Sequence, residues 1–135
     1  MTENNSKASK IGFMQGRLSP MVENKIQAFP WTNWKKEFPL ADSINLRIME
    51  WTLDQKNLYM NPIMTKEGRN KIKTLVKQFN ISIPSLTGDC FMQNPFWKCK
   101  GKEKEILERD FIAIVESCSE LGLKCIVVPL VDNGS

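Results

Sequence analysis

Short apolar runs alternate with amphipathic helical segments along this chain, and that alternation constrains its fold more than any other feature. The apolar runs are Ile11–Met14, Leu46–Trp51, Ile81–Leu86 and Cys125–Val131. Three stretches between them carry apolar residues at helical spacing. Trp34, Phe38, Ala41 and Ile44 mark a helix around Asn33–Ile44, where Pro39 predicts a kink or a late start. Ile72, Leu75, Val76 and Phe79 give one buried face to a helix capped by Thr65 and closed by Asn80. Leu107, Phe111, Ile114, Val115, Cys118 and Leu121 do the same over about Lys102–Leu121, and Gly122 stops that helix. Pro84 removes one ladder donor from the third strand and predicts interrupted pairing there.

The order is β-α-β-α-β-α-β, which argues for parallel strands joined by right-handed crossovers. Successive strands start 35, 35 and 44 residues apart. Eight such units make roughly 300 residues, near the size of a (β/α)8 TIM barrel. The 135 residues therefore read as one α/β domain and as close to half of such a barrel, with four parallel strands and three helices. Residues 1–9 are small and polar and read as a disordered lead-in, leaving 10–135 as the N-terminal half-barrel.

Composition removes several chemistries. The chain has no histidine, so it cannot by itself build a Ser-His-Asp triad, a Cys-His pair or a His-rich zinc site. The four cysteines, Cys90, Cys99, Cys118 and Cys125, form no CxxC pair, and Cys118 and Cys125 read as reduced core thiols. The net charge of +4 is scattered, and Glu103 and Glu105 interrupt the only dense run, Lys98–Lys104. That run reads as a solvated loop entering a helix rather than a nucleic-acid patch. No stretch approaches the roughly 20 apolar residues of a membrane span, and no signal peptide opens the chain. The cytoplasm is the default location.

Six segments then fall in a characteristic order: IGFMQGRLSP (Ile11–Pro20), QAFPW (Gln27–Trp31), IMEWTLD (Ile48–Asp54), NPI (Asn61–Ile63), GDCFM (Gly88–Met92) and IVVPLVDNGS (Ile126–Ser135). Together they resemble the sugar phosphate isomerase/epimerase family of xylose isomerase-like TIM barrels. Relatives include D-tagatose 3-epimerase, pentulose-5-phosphate 3-epimerases, inosose dehydratase and endonuclease IV. The resemblance spans nearly all of residues 10–135 but only the N-terminal half of the family's fold. It implies a divalent metal (manganese, magnesium, zinc or cobalt) that polarises a ketose carbonyl, and two glutamates that exchange the proton on the adjacent carbon. In the family these groups come from later strands, so the resemblance assigns this chain no catalytic residue and no metal ligand. The implied partner is a small sugar or sugar phosphate, with a homo-oligomer as a further expectation.

Pocket candidates follow from the rule that barrel strands point their C-terminal ends into the active site. Gln15 and Arg17 follow the first strand, and Arg17 would hold a phosphate or pair with a carboxylate inside the barrel. Glu50 closes the second strand as a substrate-hydroxyl acceptor or part of a structural ion pair. Trp51 would wall a sugar pocket or simply pack. Asp89 and Cys90 follow Gly88, which lets a ligand approach the backbone. Asp132 is a pocket contact or the start of an Asp-Asn-Gly turn. Phe91, Met92, Phe96 and Trp97 form either a lid or a satellite core.

Three functions remain open at this point. One is the isomerase or epimerase, present as an incomplete fragment lacking the metal site and inactive alone. Another is phosphodiester cleavage, which the absence of histidine argues against. The third is a non-catalytic module that binds a small ligand or partner, either a stand-alone four-stranded α/β domain or a half-barrel that dimerises into a pseudo-barrel.

Overall fold

A computed structural model describes residues 10–135, so the lead-in expected at 1–9 lies outside the described residues. Four strands form one all-parallel sheet in sequence order: β1 (Phe13–Met14), β2 (Ile48–Leu53), β3 (Ser82–Gly88) and β4 (Cys125–Val127). Four helices accompany them: α1 (Glu37–Ser43), α2 (Lys66–Phe79), α3 (Asp89–Gln93) and α4 (Gly101–Glu120). Alternation predicts three of these. The fourth, α3, is a five-residue turn directly after β3, too short to show a helical period.

Local chemistry sets the boundaries. α1 starts at Glu37, so Pro39 is its third residue, where a backbone N–H would have no intrahelical acceptor anyway. Thr65 caps α2 by accepting from the Gly68 N–H at 3.0 Å, and Asn80 ends it in the left-handed region at φ 51°. The register between β2 and β3 slips between the pairs Ile48–Ser82 and Glu50–Ser85, which brackets Pro84 as expected. β4 is shorter than the run Cys125–Val131: pairing stops at Val127, and a 3-10 turn follows at Asp132–Gly134. Pro129 has no N–H to extend the ladder.

The sheet has two unlike faces. Met49, Trp51, Leu53 and Leu86 are fully buried on one, under Phe38, Ala41, Ile72, Leu75, Ile114 and Cys118 of the helices. A parallel sheet in sequence order steps one strand at a time, which puts every crossover helix on the same face. The other face carries the rows Met14–Glu50–Ser85–Cys125 and Thr52–Thr87–Val127. It is half-buried at Glu50 and Ser85 and open at Cys125 and Val127.

That open face corrects one expectation. Cys125 is not a core thiol; it lies exposed on the outermost strand, whereas Cys118 is buried and its thiol is pushed up to about 11 by burial. Ile44 and Val115 also face outward rather than into the core. The apolar loop packs on α4 and on the 3-10 turn at Asp132–Gly134, and its Phe91 belongs to the main core. Phe91 and Phe96 stack on Phe111 of α4 at 5.3 and 5.6 Å. Trp97 Nε1 donates to the Gly134 carbonyl at 3.2 Å, and Asn133 donates to the carbonyls of Met92 and Gln93. Among the described residues no helix is long and apolar enough to cross a membrane.

Candidate functional site

A cleft of about 430 Å³ opens at the C-terminal ends of the strands, lined among others by Gln27, Glu50, Thr87, Asp89, Met92 and Asp132. Its polar groups are held by neighbours. Glu50 points from β2 toward β3 on the open face, where Oε2 accepts from Ser85 Oγ at 2.6 Å and Oε1 accepts from Thr87 Oγ1. Hydroxyls two residues apart on one strand face the same way, so β3 offers the carboxylate both donors at once.

Asp89 begins α3, and its Oδ2 accepts from Gln27 Nε2 at 2.6 Å. Burial raises the Asp89 pKa above the usual 3.8; the Gln27 hydrogen bond opposes this, and the Asp54 and Glu50 charges add to it. Asp54, just past β2, accepts from the Phe29 N–H and from Gln93 Nε2, both at 2.9 Å. It thereby ties the β1–α1 connection to the end of α3.

The structure thus brings Glu50, Asp89 and Asp132 to one cleft and places the other four candidates elsewhere. Gln15 is buried between β1 and β2: its Oε1 accepts from the Thr52 N–H and its carbonyl from Thr52 Oγ1, both at 3.1 Å. Arg17 is exposed and donates to the Ile26 carbonyl at 2.7 Å. Trp51 is not a pocket wall; it lies on the helix-covered face, against Phe29 and Trp34 at 5.6 and 5.8 Å. Cys90 is buried, and its thiol is pushed up to about 12 by burial, with the Asp89 and Asp54 charges acting the same way. Such a thiol stays protonated and unreactive at neutral pH.

Sequence reasoning did not single out Gln27, Thr87, Ser85, Asp54 or Glu37 as site residues. Thr87 had a signal, since it continues the parity of Ser85 on β3. Gln27 had none, because its partner Asp89 lies 62 positions away.

In this cleft the oriented polar groups stand beside the apolar side chains of Met92, Val127 and Val131. Among the described residues no group of three or more His, Cys, Asp or Glu side chains is placed to hold a metal ion.

The raised Asp89 pKa has a testable sign. Between 3.8 and the higher folded value, the folded chain holds a proton that the unfolded chain has released. Stability from this group therefore falls as pH rises through that window and is level above it. The stability advantage of the wild type over Asp89→Asn, read from urea midpoints between pH 3.5 and 7, should shrink as pH rises. An advantage that grows with pH would reverse the assignment. Comparison with protein-family models gives no match for this chain, and comparison with curated proteins gives none either.

Proposed function

We propose that the chain is the first half of a (β/α)8 barrel acting, in the cytoplasm, as an isomerase or epimerase of a small sugar or sugar phosphate. One observation carries this reading. Thr87, Asp89 and Gln27 converge at the C-terminal end of a parallel sheet in sequence order, with Glu50 beside them on the open face of β2, and barrel enzymes hold their substrates at that end. The ordered segments that resemble the sugar phosphate isomerase/epimerase family supply the reaction class.

The uncovered face supports completion of the barrel by further strands, from the same chain or a second copy, because parallel sheets are ordinarily covered on both faces. Within this half, the residues bind and orient. A carboxylate has about four acceptor positions, so Glu50 can hold Ser85 and Thr87 and still accept a substrate hydroxyl. The metal and the proton-moving glutamates of the family belong to its later strands.

The test is solvent exchange. The intact protein, supplied with divalent metal in deuterated water, is incubated with a panel of ketoses and ketose phosphates. Deuterium should enter at the carbon beside the carbonyl of at least one of them, followed by NMR. Glu50→Gln should raise KM about tenfold or more through a weakened charged hydrogen bond, with a smaller effect on kcat. Absence of exchange across the panel would overturn the reading.

A further inference from the structure

The connection leaving β1 returns to its own start. Gly16, at φ +95°, comes so close to Ala28 that a Cβ on it would lie 2.8 Å from the Ala28 carbonyl oxygen. Residues 16–28 are therefore a loop with touching ends, a form often used at functional sites. Its tip is folded by the bridge between Val22 and Lys25.

One buried side chain fastens this loop. Glu37 is fully buried at the first position of α1, whose Phe38 and Ala41 root it in the core. Its Oε1 accepts from the Gly16 N–H at 2.8 Å and the Leu18 N–H at 3.1 Å, and its Oε2 lies 3.0 Å from the Gly16 nitrogen. A buried carboxylate is expensive unless hydrogen-bonded, and an apolar side chain in its place would leave those N–H groups without an acceptor. From there the contacts run on. Arg17, between the two anchored amides, donates to the Ile26 carbonyl at 2.7 Å, and the next residue, Gln27, donates to Asp89 in the cleft at 2.6 Å.

We infer that Glu37 is a positioning residue, which fixes the 16–28 loop so that Gln27 is held against Asp89 at the cleft. The inference rests on reading that cleft as the functional site, but it is tested without substrate. It can therefore fail, or survive, independently of the ketose experiment.

The experiment is amide hydrogen exchange on the intact protein, wild type against Glu37→Gln, with the Asp89 carboxyl titrated by carbon-13 NMR. Glutamine keeps an acceptor where Oε1 lies but loses the charge, and its NH2 end cannot accept where Oε2 lies, so the bonds from Gly16 and Leu18 both weaken. Exchange over residues 16–28 should rise about tenfold or more while α2 and α4 keep their protection. The Asp89 midpoint should move up, as it should in Gln27→Ala, because the hydrogen bond that lowers it is weakened. Equal acceleration throughout the chain would make Glu37 a general stabiliser and overturn the proposal. So would an unmoved Asp89 midpoint. If Glu37→Gln does not fold, the exposed Arg17→Ala cuts the same path at Ile26, and the same pair of readouts decides.

Discussion

Trp51→Ala should lower the free energy of unfolding by roughly 3–5 kcal/mol, read as a shift of the urea midpoint at an unchanged slope. Trp51 is fully buried between the sheet and the helices. Its ring meets Phe29 at 5.6 Å and Trp34 at 5.8 Å, and its Nε1 donates to Asn61 Oδ1 at 3.1 Å. The substitution removes the largest fully buried side chain and leaves a cavity between the sheet and the helices. It also removes a donor from Asn61, whose Oδ1 then keeps only the Ile63 N–H. The same variant separates the two roles considered for this residue. A pocket wall would cost ligand affinity and little stability; a core residue costs stability first. A loss below about 1 kcal/mol would be that of a surface position and would contradict its place in the core.

Trp51 also shows how far the sequence could be read. Alternation of period two and period 3.6 is a physical consequence of burying one face, so the strands, the long helices and the parallel order were all legible. Which of two adjacent residues faces the cleft was not. Glu50 and Trp51 point to opposite faces of β2, and a shift of one residue exchanges them. The fold settles which is which: Trp51 is fully buried under the helices, while Glu50 accepts from Ser85 and Thr87 on the open face. Gln27 and Glu37 were hidden for a different reason. Their partners, Asp89 and the Gly16 and Leu18 amides, are distant in the chain, and a glutamate at the start of an amphipathic helix reads as an ordinary surface residue. The segment Asp89–Gln93 hid its helix because five residues cannot display a period.

Gly68→Ala sets local propensity directly against packing, and packing should win by roughly 2–3 kcal/mol of lost stability. Gly68 is the third residue of α2, a regular helical position where alanine would ordinarily stabilise by about 1 kcal/mol. Here its Cβ would lie 2.0 Å from the Pro62 carbonyl oxygen and 2.4 Å from Pro62 Cα. Those are backbone atoms, and they are not free to give way. The 3-10 turn Pro62–Met64 is anchored by Asn61, which accepts from the Ile63 N–H at 3.1 Å, and by Arg69, which donates to the Ile63 carbonyl at 3.0 Å. Relief would have to come from moving the start of α2, which sacrifices the Thr65 cap on the Gly68 N–H. Thr74→Ala, on the exposed side of the same helix, is the control: it gives up only the solvent-exposed bond that Thr74 Oγ1 donates to the Asn70 carbonyl at 3.1 Å, gains helix propensity and should stabilise by a few tenths of a kcal/mol. Urea midpoints of the two variants should therefore move in opposite directions. If both rise, the turn and the helix do not approach as closely as the structure has them, and the seat of Asn61 under Trp51 must be redrawn with them.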